Sequence, residues 1–156
     1  MFPMWHDIAP QQGRFMNDPA MSLPSSLPHG AQDISTGGFN LFAGPFYRLP
    51  DDGEVRRFAF IVLEKHMNSA GGVHGGLLMT FADIAMSRTS RLTTGARSCA
   101  TIALNCDFAG AGRLGELIEI RVRVTRKTRN LVFLSSDIFS GDRPLMTATG
   151  LWRILP

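Results

Sequence analysis

The feature that most constrains this fold is a segment whose apolar side chains would cover almost every face of a helix. The segment starts near Gly75, passes through Leu77-Leu78-Met79 and ends at about Arg91. A helix that is apolar nearly all round is buried on most sides. The sequence therefore predicts one long helix enclosed by the rest of the chain.

Elsewhere apolar and polar residues alternate, as they do in strands with one packed face and one exposed face. The fourth predicted strand is the clearest, because Ile118, Ile120 and Val122 point one way. In the last strand the small residues Ala148 and Gly150 leave room for the helix. Two strands, a helix and four strands predict an α+β fold, with a curved antiparallel sheet wrapped around one central helix. The six strands are predicted at about residues 40–49, 54–64, 97–109, 115–127, 131–139 and 144–154.

The two cysteines lie in the third predicted strand. Cys99 and Cys106 are seven residues apart, and an odd separation in a strand points two side chains to opposite faces. We therefore expect that they do not pair with each other. The four histidines show no metal-ligand spacing with one another or with cysteine, so we predict no metal site.

The chain divides into an extension and a domain. With 156 residues and 44% hydrophobic content, it can bury one good-sized core. Five of its nine prolines precede residue 31, in a stretch without sustained periodicity. This composition predicts an irregular N-terminal extension over residues 1–36 and a single domain over residues 37–156.

Charge and hydropathy exclude several classes of protein. The longest apolar runs are far short of the ~20 residues that a membrane-spanning helix needs. The first residues lack the basic region and apolar stretch of a secretory signal, so we expect a cytoplasmic protein with no membrane partner. A net charge of +3 comes without the dense basic stripe of a nucleic-acid binder, and it suits a small anionic ligand equally well.

One acid, Asp83, lies in the middle of the apolar stretch of the predicted helix. An unpaired carboxylate is costly to bury, so Asp83 needs a partner, water or a chemical role. An ion pair with an arginine from a strand or from a neighbouring subunit is one solution. A catalytic role is the other.

The helix begins at Gly71-Gly72-Val73-His74-Gly75-Gly76, without the Ser, Thr, Asp or Asn that normally caps a first turn. We therefore expect unfilled amide donors there, which form a site for an anion or a developing oxyanion. Gly75 and Gly76 lack side chains, so a substrate carbonyl can approach the backbone closely. A tight turn with water on the donors is the structural alternative.

The spacing of these groups predicts a shared site. Gly75 and Asp83 are eight residues apart, or about 12 Å along one helix, so they cannot both contact one carbonyl group. If both act on the same substrate, the helix start of one chain must meet Asp83 of a second chain. A two-fold dimer with antiparallel central helices arranges this, which makes a homodimer the smallest predicted catalytic unit.

Asn68, His74-Gly75-Gly76 and Asp83, with the acid nine residues after the histidine, resemble the signature of the PaaI-type branch of the hotdog thioesterases. The resemblance extends from about Gly38 to the end of the chain. It implies the hotdog fold and hydrolysis of an acyl- or aryl-coenzyme A thioester. Coenzyme A is then part of the substrate, and no separate cofactor is implied. Members of this family often pair two dimers, so we expect a homotetramer.

The resemblance also implies a role for each motif residue. Asp83 becomes the general base or nucleophile, and the Gly75 amide polarises the thioester carbonyl. Asn68 orients water or the carboxylate, His74 supports the helix start, and Thr101 positions the attacking water. Purely structural roles for His74 and Thr101 are equal alternatives.

A basic tract, Arg126-Lys127-Thr128-Arg129-Asn130, separates two predicted strands. Such a tract is typical of a hairpin turn exposed to solvent. In the family that this chain resembles, the turn can instead meet the nucleotide phosphates of coenzyme A together with Arg113. Lys127, Arg129 and Arg113 are therefore candidate substrate-binding residues.

Two other functions compete with hydrolysis. A non-catalytic hotdog module would bind an acyl-coenzyme A as a sensor or regulator, but an intact Asp83 argues against it. A hotdog dehydratase or hydratase would need a different spacing of paired Asp and His than His74 and Asp83 provide. The acyl pocket depends on how four side chains pack between subunits, namely Phe39, Phe42, Met79 and Phe81.

Overall fold

The computed structural model describes residues 24–155, so most of the predicted N-terminal extension lies outside the described residues. The elements are β1 (Gln32–Asp33), α1 (Gly38–Ala43), β2 (Tyr47–Arg48), β3 (Arg56–Ile61), a 3-10 turn (Glu64–His66), α2 (Gly75–Thr94), β4 (Ser98–Phe108), β5 (Leu117–Lys127), β6 (Leu131–Ser140) and β7 (Arg143–Leu155). The seven strands form one antiparallel sheet in the order β1-β2-β3-β5-β6-β7-β4, and the long helix α2 packs against it. This confirms the predicted α+β fold.

The predicted central helix is α2, which runs three residues further than expected, to Thr94. It ends at Gly95, whose left-handed backbone (φ 73°) forms a C-cap that glycine adopts without strain. Its buried residues fall on one stripe at helical spacing, which packs into the concave face of the sheet. These residues are Leu78, Phe81, Ala82, Ala85, Met86, Thr89 and Ser90.

Strands β5 and β7 bury the faces that the alternation predicts. Ile118, Ile120 and Val122 of β5 are fully buried. On β7, Trp152 lies under α2 and its indole N–H donates to the Ser87 hydroxyl at 2.7 Å. A Cβ at Gly150 would lie 2.5 Å from the Trp152 ring, so the glycine there makes room for the indole.

The prediction of a strand over residues 40–49 is wrong. Residues 38–43 form the short helix α1, and only Tyr47 and Arg48 are in a strand. Pro45 explains where the helix ends, because a residue that precedes proline is disfavoured in helical conformation. Gly44 accordingly has an extended backbone. As a result, residues 38–43 are not part of the sheet.

The prediction that the two cysteines point to opposite faces of their strand is also wrong, because β4 is irregular. Its pairing with β7 shifts between Thr101 and Ala103, where a bulge leaves Ile102 54% exposed. A bulge adds one residue to a strand and thereby changes which face the next side chains occupy. Cys99 and Cys106 therefore both pack against the core, and both are free thiols.

In the part of the chain that the structure describes, no helix has the length and apolar character needed to cross a membrane.

Candidate active site

The loop that leads into α2 is organised by Asn68. Its side-chain Oδ1 accepts from the amides of Ala70 at 2.9 Å and Gly72 at 3.1 Å. The backbone of the loop is tied further by a hydrogen bond from Asn68 to Gly72 at 2.8 Å. Asn68 therefore holds the shape of the turn before the helix, and only its side-chain NH₂ group is left for the predicted contact with water or carboxylate.

The helix start is capped, contrary to expectation. His74 is the N-cap residue, and its Nδ1 accepts from the amide of Gly76 at 2.9 Å. A neutral imidazole offers one lone pair, which here replaces the oxygen of the usual Ser or Asp cap. With Nδ1 as acceptor, the ring proton of neutral His74 lies on Nε2. The Gly76 amide is thus occupied within the chain.

Gly75 supplies the donor that stays free. Its amide has no hydrogen-bond partner among residues 24–155, and it occupies the first helical position, where the dipole is positive. A Cβ at Gly75 would lie 3.2 Å from the ring of Phe108 on β4, so close packing also favours glycine here. The amide that the sequence predicts to polarise a carbonyl is therefore free to donate in a single chain.

Asp83 and Thr101 meet between α2 and β4. The Thr101 hydroxyl donates to Asp83 Oδ1 at 2.6 Å, across eighteen residues of sequence. The bulge after Thr101 lets this side chain face the helix together with Cys99. Within the described range Asp83 forms no ion pair, so the alternative of an arginine partner is not found inside one chain.

Asp83 lines an open cavity of about 260 Å³ on the side of α2 that faces α1. Thr36 and Asn40 form one wall, and Ser87, Arg88 and Arg91 of α2 form the other. The sequence predicted none of these five lining residues. Ser87 and Arg91 nevertheless lie on the same helix face as Asp83, because they follow it by four and eight residues. The remaining lining residues are Ile34, Ile84, Ser98 and Cys99.

A second groove, of about 350 Å³, lies at the start of α2 on the other side of α1. It contains His74 and Gly76 and is bounded by apolar residues, among which Phe39 and Phe42 are strongly exposed. The buried His66 borders it, and burial is the main cause that lowers the pKa of its imidazole. The other lining residues are Ala43, Lys65, Leu77 and Thr80.

The three predicted phosphate-binding residues are not brought together in one chain. Lys127 and Arg129 lie at the β5–β6 hairpin, which confirms the predicted turn, and both are exposed. Arg113 precedes the opposite end of β5, which spans eleven residues and hence roughly 35 Å. A single nucleotide bound to one chain therefore meets either the hairpin or Arg113.

No three His, Cys, Asp or Glu side chains of residues 24–155 are grouped closely enough to hold a metal ion.

The sequence profile of the thioesterase superfamily matches residues 70–147, half of the chain. Over 131 residues the chain is 31% identical to a Pseudomonas aeruginosa protein named as a candidate esterase, a match that covers 83% of this chain and 98% of that protein. Over 89 residues it is 30% identical to human acyl-coenzyme A thioesterase 13, covering 57% of this chain and 64% of the human protein.

The architecture agrees with a solved structure from Ralstonia eutropha, a candidate thioesterase related to phenylacetic acid degradation. The two chains superpose with a TM-score of 0.63 at 25% identity, over 69% of this chain and 83% of the other. Fold, motif spacing and sequence profile agree with one another. The chain therefore belongs to the thioesterase superfamily and is a thioester hydrolase with the hotdog fold.

Proposed function

We propose that this protein hydrolyses an acyl- or aryl-coenzyme A thioester to the free acid and coenzyme A. The observation that carries the proposal is the Asp83 carboxylate, held by the Thr101 hydroxyl at 2.6 Å in an open cavity. A half-buried carboxylate without an ionic partner suits a group that activates water or attacks a carbonyl. The name of the human relative supports coenzyme A as the thiol.

In the proposed reaction, a water oxygen adds to the thioester carbonyl carbon and Asp83 takes the water proton. Thr101 fixes one carboxylate oxygen, so the other is directed at the water. The carbonyl oxygen becomes negative and accepts from the Gly75 amide, a stabilisation worth roughly 3–4 kcal/mol for one such donor. The carbon–sulfur bond then breaks, and the leaving thiolate takes up the proton held by Asp83, which restores the carboxylate. Direct attack by the Asp83 carboxylate is the other form of the same proposal.

The site is proposed to form between two chains. Gly75 and Asp83 of one chain are about 12 Å apart along α2, too far for one carbonyl. Strand β4 is the edge of the sheet, eleven residues long, and its free backbone groups are available to another strand. Antiparallel pairing of two β4 strands about a two-fold axis makes the two α2 helices antiparallel, which directs Gly75 of one chain towards Asp83 of the other.

Pairing would also cover apolar surface that one chain leaves exposed. Ile102 and Phe108 on β4 and Met79 on α2 are all exposed in a single chain. Burial of such surface favours association at about 25 cal/mol per Å². The proposed assembly is a homodimer, or a homotetramer of two such dimers.

Substitution Asp83→Asn tests the proposal, because it preserves the shape of the side chain and removes its basicity. We expect hydrolysis of coenzyme A thioesters, measured as thiol release, to fall by at least about 100-fold, the usual contribution of a general base. Asp142→Asn, in an exposed turn, is the matched control and should retain full turnover. A wild-type rate in Asp83→Asn would instead show that Asp83 is not the base, and absence of turnover in the wild-type protein would favour a non-catalytic acyl-coenzyme A sensor.

A further inference from the structure

A cationic groove continues from the Asp83 cavity along the second half of α2. The cavity and a neighbouring groove of about 410 Å³ share three lining residues, Ile34, Arg88 and Arg91. Arg48 of β2 lines the far side of the groove. The two spaces therefore form one path that begins at the carboxylate and ends among three guanidinium groups.

Two of the three arginines in this path have no ionic partner within the described part of the chain. Arg48 pairs with Asp51 at 2.9 Å, but Arg88 and Arg91 have no ion pair and no side-chain hydrogen bond to residues 24–155. Burial, followed by the charges of Arg91 and Arg48, lowers the pKa of Arg88. Among the described residues, Asp83 is the only acid that lines either space, and its Oδ1 already accepts from Thr101. Half-buried cations without partners favour binding of an anion.

The helix dipole explains only part of this arrangement. Arg91 lies in the last turn of α2, where a cation is stabilised by the negative end of the dipole. Arg88 lies one turn earlier and gains little from it. Two arginines on one helix face, both lining the cavity of the proposed base, are more readily explained by a ligand.

The spacing indicates which anion fits. Arg88 and Arg91 follow Asp83 by five and eight residues, or about 7.5 and 12 Å along the helix axis. Helical side chains lean towards the N-terminus, which is the direction of Asp83 from both arginines, and both line the cavity that contains this carboxylate. A carboxylate at the far end of a short acyl chain falls within this distance of a carbonyl at Asp83. The coenzyme A phosphates, at the end of the long pantetheine arm, lie farther away.

We propose that Arg88 and Arg91 form an anion subsite that selects thioesters whose short acyl chain ends in a carboxylate. The inference rests on the proposed function, because it takes Asp83 as the place of the reacting carbonyl. Arg88 and Arg91 are then specificity residues that bind the substrate remote from the bond that breaks. The same anion chemistry would also fit a coenzyme A phosphate, and the experiment separates these two sources.

The test compares glutaryl and pentanoyl thioesters, which have equal chain length and differ in the terminal carboxylate, each as the coenzyme A and the pantetheine thioester. We expect the wild-type protein to prefer glutaryl in kcat/KM. Arg88→Gln and Arg91→Gln should each reduce this preference about tenfold or more, the loss of one charge-assisted hydrogen bond. The reduction should be equal for both thiols. Arg153→Gln, on the exposed face of β7, should leave the preference unchanged.

Each contrary result has a distinct meaning. An unchanged preference in both arginine variants, with thermal unfolding that shows them folded, overturns the subsite. A reduction seen only with coenzyme A thioesters assigns the arginines to phosphate and also overturns it. Hydrolysis by the wild-type protein without any preference for glutaryl overturns the subsite alone. Hydrolysis of benzoyl- or palmitoyl-coenzyme A but of none of these four thioesters also overturns the subsite alone, whereas failure to hydrolyse any of them overturns the proposed function itself.

Discussion

At the scale of single residues, Asp83 is the proposed base and Thr101 holds its carboxylate in position. Thr101 donates to Oδ1, and Oδ2 has no hydrogen-bond partner in residues 24–155. A carboxylate held by one donor keeps its orientation while one oxygen is free to take a proton. Thr101 is therefore a positioning residue whose hydroxyl sets the direction in which Asp83 acts.

His74 caps α2 without adding charge to the helix start. An aspartate cap would satisfy the same amide, but its negative charge would offset the positive end of the dipole. The imidazole accepts from the Gly76 amide and does not offset the positive end of the helix dipole at the neighbouring Gly75 amide. A neutral cap thus suits a site that stabilises an oxygen as it becomes negative.

His66 should make the stability of the fold depend on pH. Burial lowers the pKa of its imidazole below the ordinary value of 6.5, so the folded chain disfavours the charged ring. As the pH falls through 6.5, the unfolded chain takes up a proton that the folded chain does not. We expect the free energy of unfolding to decrease by up to about 1.4 kcal/mol per pH unit below that point, as measured by denaturant titration.

A matched pair of variants isolates this contribution. His66→Gln removes the titrating ring and keeps an acceptor for the Leu63 amide, which donates to His66 Nδ1 at 3.1 Å. The loss of stability on acidification should shrink in this variant. It should persist in His29→Gln, whose histidine is exposed. An equal loss in both variants would assign the pH dependence to other groups.

At the scale of elements, periodic segments could be predicted from the sequence and irregular ones could not. The helix α2 and the strands β5 and β7 repeat one period over ten or more residues, so their faces follow from the pattern. The bulge at Ile102 breaks the period without a mark in the apolar pattern. Residues 38–43 are too short a segment for periodicity to separate a helix from a strand.

The candidate site shows the same division. Gly75, Asp83 and Thr101 could be identified because a motif and fixed spacings join them along the chain. Arg88 and Arg91 could not be identified from the sequence, because the cavity that they line also includes Ile34, Thr36 and Asn40, and no pattern relates those residues to α2. The capping role of His74 depends on one side-chain rotamer, which spacing alone does not specify.

The β5–β6 hairpin provides a test at this scale. If its cations contact the coenzyme A nucleotide, Lys127→Ala and Arg129→Ala should raise KM for a coenzyme A thioester several-fold and leave KM for the matching pantetheine thioester nearly unchanged, since only the former carries nucleotide phosphates. The difference should weaken with salt, because exposed charges are screened beyond about 8 Å at physiological ionic strength.

Charge-conserving substitution is the control for the hairpin. Lys127→Arg keeps the positive charge and should keep KM close to the wild-type value for both thioesters. Arg113 lies beyond the opposite end of β5, so its substitution should act independently of the hairpin. If KM changes equally for both thioesters in Lys127→Ala and Arg129→Ala, the hairpin cations contact only solvent and the phosphates bind elsewhere.

At the scale of the whole molecule, the proposed dimer joins two incomplete half-sites. Each chain has a free amide at the start of α2 and a carboxylate in its middle, and neither reaches the other within one chain. The groove at the start of α2 is largely apolar, whereas the separate groove beyond Asp83 is cationic. In a two-fold dimer, the apolar groove of one chain would adjoin the cationic groove of the other at the shared carbonyl site.

This arrangement predicts that two inactive variants restore each other. Asp83→Asn removes the base, and Gly75→Pro removes the amide donor at the first helical position, where proline is otherwise tolerated. In a hybrid dimer, one site receives both defects and the other receives none. With random exchange of subunits, half of the dimers are hybrids, so thiol release should recover to roughly a quarter of the wild-type rate.

Gly75→Ala serves as the matched control, because it adds a Cβ against the ring of Phe108, 3.2 Å away, but keeps the amide. Phe108 is half exposed and has room to move. We therefore expect Gly75→Ala to retain far more activity than Gly75→Pro, which separates loss of the donor from crowding. Mixtures that stay inactive, although mass spectrometry shows exchanged subunits and both variants are folded, would rule out a site shared between chains. Gly75 and Asp83 would then have to act on different parts of the substrate.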